Sequence, residues 1–434
     1  MKISVIGTGY VGAISATGFA KLGNDVVCID IDPAKIEKIN KGIPPIYEEG
    51  LEEHLKAALK SKKLEGRTDY SSIPESDVVL ISVGTPSNPD GSMDVRYIKA
   101  AAEQIAKEIS KSKFSVIVVR STVVPGTTGE VVGKTLETIT GGKIGKDFGL
   151  AMIPEFLKEG TAIEDFFAPD RIVIGCNDEH TKAVLSELHK EFKCPKLFVD
   201  IKTAEMIKYA SNSFLATKVS FTNEIASICE KIGIDVDDVM KGVGMDTRIG
   251  SKFLVAGAGF GGSCFPKDVK ALIHHANQVG VKPAILESVM ELNKRQQTKL
   301  VDMLTSKVKV KGKTIAVLGL AFKTDTDDIR ESSSLPIIQR LLDAGAKVRA
   351  YDPQAMPNMK RLFPSIYYAS SWSDCLTGCD AALLITAWKE FIRPASEYKK
   401  TLGNAPLFDA RRILPTEEAK KAGLQYYTIG RGSL

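Results

Sequence analysis

The sequence predicts an α/β chain of two doubly wound parallel-sheet domains joined by one long central helix. Three observations carry this reading. The chain opens with an apolar strand KISVIG (2–7), a glycine turn GTGYVG, a helical stretch AISATGFAKLG and a second strand DVVCID (25–30). That β-turn-α-β order is how a Rossmann-like sheet begins. A similar order restarts at Lys313, where KTIAVLGLAF resembles KISVIGTGYV and GAKVRAYDP resembles GNDVVCIDIDP. Between the two, AEMIKYASNSFLATKVSFTNEIASICEKIG keeps apolar residues at helical spacing with no proline.

The elements follow in order. Strands are expected at DVVLISVG and FSVIVVRST, with helical AAAEQIAKEISKS (100–112) between them, and at LAMIP and RIVIG. From about Thr203 to Val236 the pattern is helical; the helix would separate two halves or pair with its copy in a second subunit. The second βαβ unit keeps only Gly319 in its turn, so its grip on phosphate must differ or its ligand is another one. The expected domains are 1–200, 201–300 and 301–434, because 434 residues exceed one ordinary core.

Composition narrows the function. Hydrophobic residues at 44% and charged residues at 26% are ordinary for a globular protein. The net charge of +5 is spread along the chain, which mildly favours small anions. No arginine-rich stripe or aromatic-basic interleaving reads as a nucleic-acid surface. The N-terminus turns glycine-rich too soon for a signal peptide, and no apolar run reaches membrane-span length. Seven cysteines stand at irregular spacings, and Cys375 and Cys379 have no second pair. No metal site is expected, and the simplest reading is a reduced, cytoplasmic protein. His274 and His275 sit on an expected helix and read as surface or core residues.

Gly7, Gly9 and Gly12 form G-x-G-x-x-G between strand and helix. The first permits the tight turn, the second lets a pyrophosphate approach the backbone, and the third lets helix pack on strand. Free N–H groups at the helix start favour phosphate. Asp30 ends the second strand, where a carboxylate meets a ribose hydroxyl and repels a 2′-phosphate, so NAD is expected over NADP. Thr85, in SVGTP, falls at the carboxyl end of the next strand, to touch the cofactor or cap a turn.

A second cluster is GFGGSCFPKD (259–268). A thiol attacks as thiolate and gains from cations or helix-start N–H groups. Pro266 suits a first helical turn, placing Cys264 at the helix start. Lys267 and Asp268 add a cation and a carboxylate. The glycines would open the backbone to a sugar.

GTGYVG, STVVPGTT, PEFLKEGTAIEDF, EMIKYASNSFLATKVSFTNEIA, GFGGSCFPKD and GLAFKTDTDDIRES occur in that order, and the whole chain resembles the UDP-glucose/GDP-mannose dehydrogenase family. The resemblance implies a four-electron oxidation of UDP-glucose to UDP-glucuronate with two NAD⁺, by way of a thiohemiacetal and a thioester on Cys264. It assigns Lys208 to balance oxyanion charge, Asn212 to donate to the oxyanion and Asp268 to work with Lys208 through a water. Thr122 would position that water, and Glu155 would serve thioester hydrolysis. Cofactor contacts are implied for Gly7, Gly9, Tyr10, Val11, Gly12, Asp30, Lys35, Thr85, Thr122, Glu159, Lys267 and Arg330. Substrate contacts are implied for Glu155, Phe156, Leu157, Lys208, Asn212, Lys252, Phe253, Leu254, Gly261, Cys264, Phe322, Lys323 and Arg411. Arg248 would reach the neighbouring subunit's substrate, which makes a homodimer the smallest working unit.

Two positions depart from the pattern. Ile153 stands before Pro-Glu-Phe where the family usually has Asn, so the Glu155 loop is expected to be held differently. Arg120 precedes Ser-Thr and is expected to point outward. Rival readings are a GDP-mannose or UDP-N-acetylhexosamine 6-dehydrogenase, a two-electron hydroxyacid dehydrogenase, which would not need Cys264, and a non-catalytic NAD and nucleotide-sugar sensor.

Overall fold

Uninterrupted apolar strands build the first sheet. The computed structural model describes residues 1–110 and 112–432; Lys111, within the helical stretch expected at 100–112, and Ser433 and Leu434 lie outside the described residues. Met1–Ser211 and Asn212–Leu434 form two compact units. In the first, the strands are β1 (Lys2–Ile6), β2 (Asp25–Ile29), β3 (Leu64–Arg67), β4 (Val78–Ile81), β5 (Val116–Val119), β6 (Gly149–Met152), β7 (Ile172–Cys176) and β8 (Lys196–Val199). Their spatial order is β3-β2-β1-β4-β5-β6-β7-β8. Val78, Leu80, Val116 and Val118 pack into one apolar cluster, while Val79, Ile81, Ile117 and Val119 pack into another. A strand's period of two sends successive side chains to opposite faces, so a sheet covered on both sides needs such uninterrupted apolar strands. Each of these side chains contributes roughly 1.5–3 kcal/mol by burial.

The sheet is parallel except at β6–β7, where Ala151 pairs antiparallel with Cys176. That pair departs from the all-parallel expectation. It makes the segment carrying Glu155 a return loop at the carboxyl end of β6, not a crossover. The glycine turn after β1 and the SVGTP loop after β4 lie at the same sheet edge. In open α/β sheets that edge is where ligands bind. β3 and β8 are short, and β8 has no fully buried position; neither was read from the sequence.

The long helix runs from Ile201 to Ile232, about 48 Å at 1.5 Å per residue. The second unit has strands β9 (Thr314–Leu318), β10 (Lys347–Tyr351), β11 (Tyr367–Tyr368), β12 (Ala381–Leu384), β13 (Leu407–Asp409) and β14 (Tyr426–Thr428). Their order, β11-β10-β9-β12-β13-β14, repeats that of the first six strands. The repeat extends to the turns. Gly7 N–H donates to Ile29 O at 2.8 Å and Gly319 N–H to Tyr351 O at 2.9 Å, each glycine at φ +89°. Among the described residues no helix is long and apolar enough to cross a membrane.

Candidate active site

The glycine turn is shaped by close approaches. A Cβ on Gly12 would stand 1.8 Å from Gly7 O, and one on Gly7 2.8 Å from Ser82 O. Gly9, by contrast, faces open space, with nothing within 4 Å of an added Cβ. The helix that starts at Tyr10 has no side-chain cap and no acidic residue in its first turn, so its N–H groups suit a phosphate. Asp30 Oδ2 accepts Thr8 N–H at 2.8 Å and Thr8 Oγ1–H at 2.7 Å, and Oδ1 accepts Asp32 N–H at 3.0 Å. Burial works against this carboxylate, but the Thr8 and Asp32 donors and the Lys35 ammonium at 3.7 Å outweigh it and hold its pKa below the usual range. Asp30 is therefore anionic at neutral pH. Thr85 Oγ1 donates to Thr122 O at 2.9 Å, tying the loops after β4 and β5. These residues fit a dinucleotide without a 2′-phosphate. Val11 is half-buried on the first helix and Glu159 is half-buried on the β6–β7 loop.

The β6–β7 loop carries a buried ion pair. Glu155 Oε1 lies 3.0 Å from Lys208 Nζ, and Glu155 Oε2 accepts Leu157 N–H at 2.8 Å. The Phe156 ring has Arg171 Cζ at 4.0 Å and Lys208 Nζ at 5.3 Å from its centroid. Ile153 is buried in the apolar cluster of Ile163 and Phe166, and its N–H donates to Val119 O at 3.0 Å. The loop beyond it is held by polar bonds to other groups, among them Lys158 N–H to Asp165 Oδ2 at 2.9 Å.

Arg120 corrects an expectation. It points inward, is 8% exposed, and donates from Nε to Ser15 Oγ at 2.9 Å. Burial pulls its guanidinium down to about 10, and the Glu155 charge opposes that fall. The sequence offered no signal, because arginine at a strand end is ordinarily solvated. Glu205 was also missed. Its carboxylate accepts Gly126 N–H at 2.5 Å and Thr128 N–H at 2.7 Å, which fixes the loop after Thr122 to the helix of Lys208. Burial pushes its pKa up despite those donors.

In the second unit, Cys264 is the N-cap of the helix Phe265–Gln278, with Pro266 in the first turn. Its sulfur lies 3.5 Å from Ser263 Oγ. Asp268, 1% exposed, accepts Asn212 Nδ2–H at 2.6 Å and pairs with Lys267 Nζ at 2.6 Å. The glycines are required here. A Cβ on Gly261 would meet Glu331 O at 2.2 Å, and one on Gly262, at φ +83°, would meet the Phe322 ring at 2.6 Å. Gly262 N–H donates to Arg330 O at 2.9 Å, so the thiol loop and the 319–332 loop are bound together.

The remaining expected contacts are placed as follows. Arg411 donates from Nε to Ile385 O at 2.6 Å and from Nη2 to Phe322 O at 3.5 Å. Burial lowers its pKa against the pull of Asp409. Arg330 is exposed and paired with Asp328 at 2.6 Å; Lys323 Nζ lies 5.8 Å from the Phe322 ring centroid. Phe253 adopts φ +67° between exposed Lys252 and buried Leu254. Arg248 is 87% exposed and pairs with Asp246. In the turn after β9, Asp352 Oδ2 takes both Leu320 N–H at 2.7 Å and Ala321 N–H at 3.0 Å, so those donors are already used. Cys375 and Cys379 are buried thiols, raised by burial to about 12 and about 11.

Residues 1–193 match the NAD binding domain of the UDP-glucose/GDP-mannose dehydrogenase family, 202–295 its central domain and 316–416 its UDP binding domain. The chain is 43% identical, over 99% of its length, to UDP-glucose 6-dehydrogenase YwqF of Bacillus subtilis, of which it covers 98%. It is 42% identical, over 99% of its length, to the whole of UDP-glucose 6-dehydrogenase AglM of Haloferax volcanii (100%). A UDP-glucose dehydrogenase structure from Pyrobaculum islandicum superposes with TM-score 0.92 at 38% identity, covering 100% of this chain and 98% of that one. A UDP-D-ManNAc dehydrogenase from Pyrococcus horikoshii gives 0.89 at 28% identity, with 100% of both chains covered. With the three family domains matched in order along it, the chain belongs to the UDP-glucose/GDP-mannose dehydrogenase family.

Proposed function

We propose that this protein oxidises UDP-glucose to UDP-glucuronate, reducing two NAD⁺. The full-length likeness to UDP-glucose 6-dehydrogenases carries the reading. NAD⁺ supplies the hydride acceptor in both oxidations, at the Gly7–Gly12 turn with Asp30 on the ribose side. The sugar hydroxyl loses its proton to a water held by Asp268, Lys208 and Thr122, as its carbon loses hydride. The Cys264 thiolate then adds to the aldehyde carbon, forming the C–S bond while the oxygen takes a proton. That tetrahedral carbon loses a second hydride as its hydroxyl gives its proton to the same water, which leaves a thioester. Glu155 takes a proton from the water that attacks the thioester; the C–S bond breaks and the thiolate leaves with the proton returned to it. Lys208 and Asn212, one turn apart on the long helix, stabilise the oxygen charge at each stage.

Gly261, Phe322, Lys323, Arg411 and the Lys252–Leu254 segment are assigned to the nucleotide sugar, with Phe156 and Leu157 on the sugar side. The division 1–200, 201–300 and 301–434 assigns NAD binding, helical assembly and nucleotide-sugar binding. The working unit is a homodimer, in the cytoplasm. Phe214, Phe221 and Ile228 recur every seven residues on the long helix and are 64%, 48% and 51% exposed, an apolar stripe suited to a second copy. The test is a panel of nucleotide sugars with NADH counted per sugar consumed. Two NADH per UDP-glucose, with slower turnover of GDP-mannose and UDP-N-acetylhexosamines, is expected. One NADH per sugar, or preference for another sugar, would replace the reading.

A further inference from the structure

Outside the residues assigned so far, one buried carboxylate joins three separate segments of the first unit. Glu48, 6% exposed, lies in the connection between the helices Pro33–Asn40 and Leu51–Lys60. Its Oε2 accepts Tyr10 O–H at 2.5 Å and Gly160 N–H at 2.7 Å, and its Oε1 accepts Ala162 N–H at 2.6 Å. Tyr10 belongs to the glycine turn, where it is the first residue of the helix that faces the phosphates. Gly160 follows Glu159 on the loop that carries Glu155, and Ala162 opens the helix Ala162–Phe167. A charged acceptor bound to three donors is far stronger than three exposed contacts, and losing it leaves N–H groups unpaired in a buried place.

We propose that Glu48 is a positioning residue, which with Tyr10 makes the order of the Glu155–Ala162 loop depend on cofactor binding at the glycine turn. The inference rests on the NAD⁺-dependent reading above. It goes further in giving the loop a mechanical link to the cofactor. When NAD⁺ fixes the start of the first helix, the Tyr10 hydroxyl fixes Glu48. Glu48 in turn fixes the two N–H groups that bracket the loop's far end, so a hydride acceptor bound at the turn further steadies the loop that bears the hydrolytic carboxylate. Tyr10 thereby acts through its hydroxyl as well as through the backbone of its turn.

The test is amide hydrogen exchange of the full-length protein with and without NAD⁺, sugar absent, for wild type, Tyr10→Phe and Glu48→Gln. In the wild type NAD⁺ should slow exchange at 7–12 and at 155–162 together. In both variants the protection at 7–12 should persist at saturating NAD⁺, while that at 155–162 falls about tenfold or more. Kinetically, KM for NAD⁺ should rise about tenfold with KM for UDP-glucose within about twofold. Equal protection of 155–162 in wild type and variants overturns the link, as does its absence in a wild type protected at 7–12. A wild type unprotected at 7–12 overturns the cofactor reading and the link with it. Tyr10→Phe removes one hydroxyl, so the result stands even where Glu48→Gln folds poorly.

Discussion

Glu155 and Lys208 form an ion pair at 3.0 Å with exposures of 6% and 4%, and the buried Arg120 guanidinium acts on the same carboxylate. A charge so placed depends on its partner. Removing the partner leaves a desolvated ion and costs about 3–5 kcal/mol, whereas replacing both can be nearly neutral. Lys208→Met should therefore lower unfolding free energy by about that amount, and Glu155→Gln combined with it should recover much of the loss. Urea denaturation of the two single variants and the double variant measures this. Additive losses would mean the pair is not coupled.

A second prediction concerns acid. His189 is buried among Phe19 and Phe192, and its Nδ1 lies 2.9 Å from Leu185 O. Burial, against that carbonyl and with the Arg120 and Lys196 charges, depresses its pKa to about 4. The unfolded chain binds this proton near pH 6.5 and the folded chain only near 4, so stability is full above 6.5 and falls as pH drops towards 4. The loss is about 3 kcal/mol at one group. His189→Phe keeps an aromatic ring there and should flatten the pH dependence between 6.5 and 4. An unchanged slope in thermal unfolding would assign the acid sensitivity elsewhere.

The duplicated sheet was legible because strand, glycine turn and strand-end aspartate recur at Gly7 and Asp30 and again at Gly319 and Asp352, and local pattern alone encodes them. The helix start at Cys264 was legible through Pro266. The antiparallel β6–β7 pair was not, since an apolar run such as RIVIG carries no direction. Nor was the inward turn of Arg120 or the hub at Glu48. Those depend on partners such as Ser15 and Gly160, brought near by folding and unmarked by any local spacing.

Asp30 bears on cofactor choice. Its donors keep it anionic, so a 2′-phosphate placed beside it meets a like charge worth a few kcal/mol. kcat/KM should be about a hundredfold or more lower with NADP⁺ than with NAD⁺. Asp30→Asn should narrow the gap, since its Oδ1 can still accept from Thr8. Equal efficiency of the two cofactors in the wild type would refute the assignment.

Arg248 bears on assembly. It is 87% exposed and pairs with Asp246 two residues away, which leaves its guanidinium open to solvent. Mixed after subunit exchange, Arg248→Ala and Cys264→Ala chains should regain activity that neither has alone, because hybrid pairs hold one site with both groups. Verified exchange without recovery would place the arginine's action in its own chain or remove it from the reaction.

The last prediction concerns the thiol. Cys264 caps a helix whose first turn holds Pro266, Lys267 and Asp268, in a loop where Gly261 and Gly262 admit no side chain. Cys264→Ala leaves the Gly7–Gly12 turn and the 319–332 loop untouched, so binding of NAD⁺ and UDP-glucose should change little. The loss should fall on the chemical step, about a thousandfold or more for a deleted nucleophile. Glu155→Gln should slow hydrolysis instead and let the acyl-enzyme build up. Intact-protein mass spectrometry after quenching with UDP-glucose and NAD⁺ should then show a nucleotide-sugar acyl adduct, mapped to the Cys264 peptide. Native-rate UDP-glucuronate formation by Cys264→Ala would end the covalent mechanism. A slow Glu155→Gln with no adduct would remove only the hydrolytic role of Glu155, and would leave its ion pair with Lys208 as the reason for the slowing.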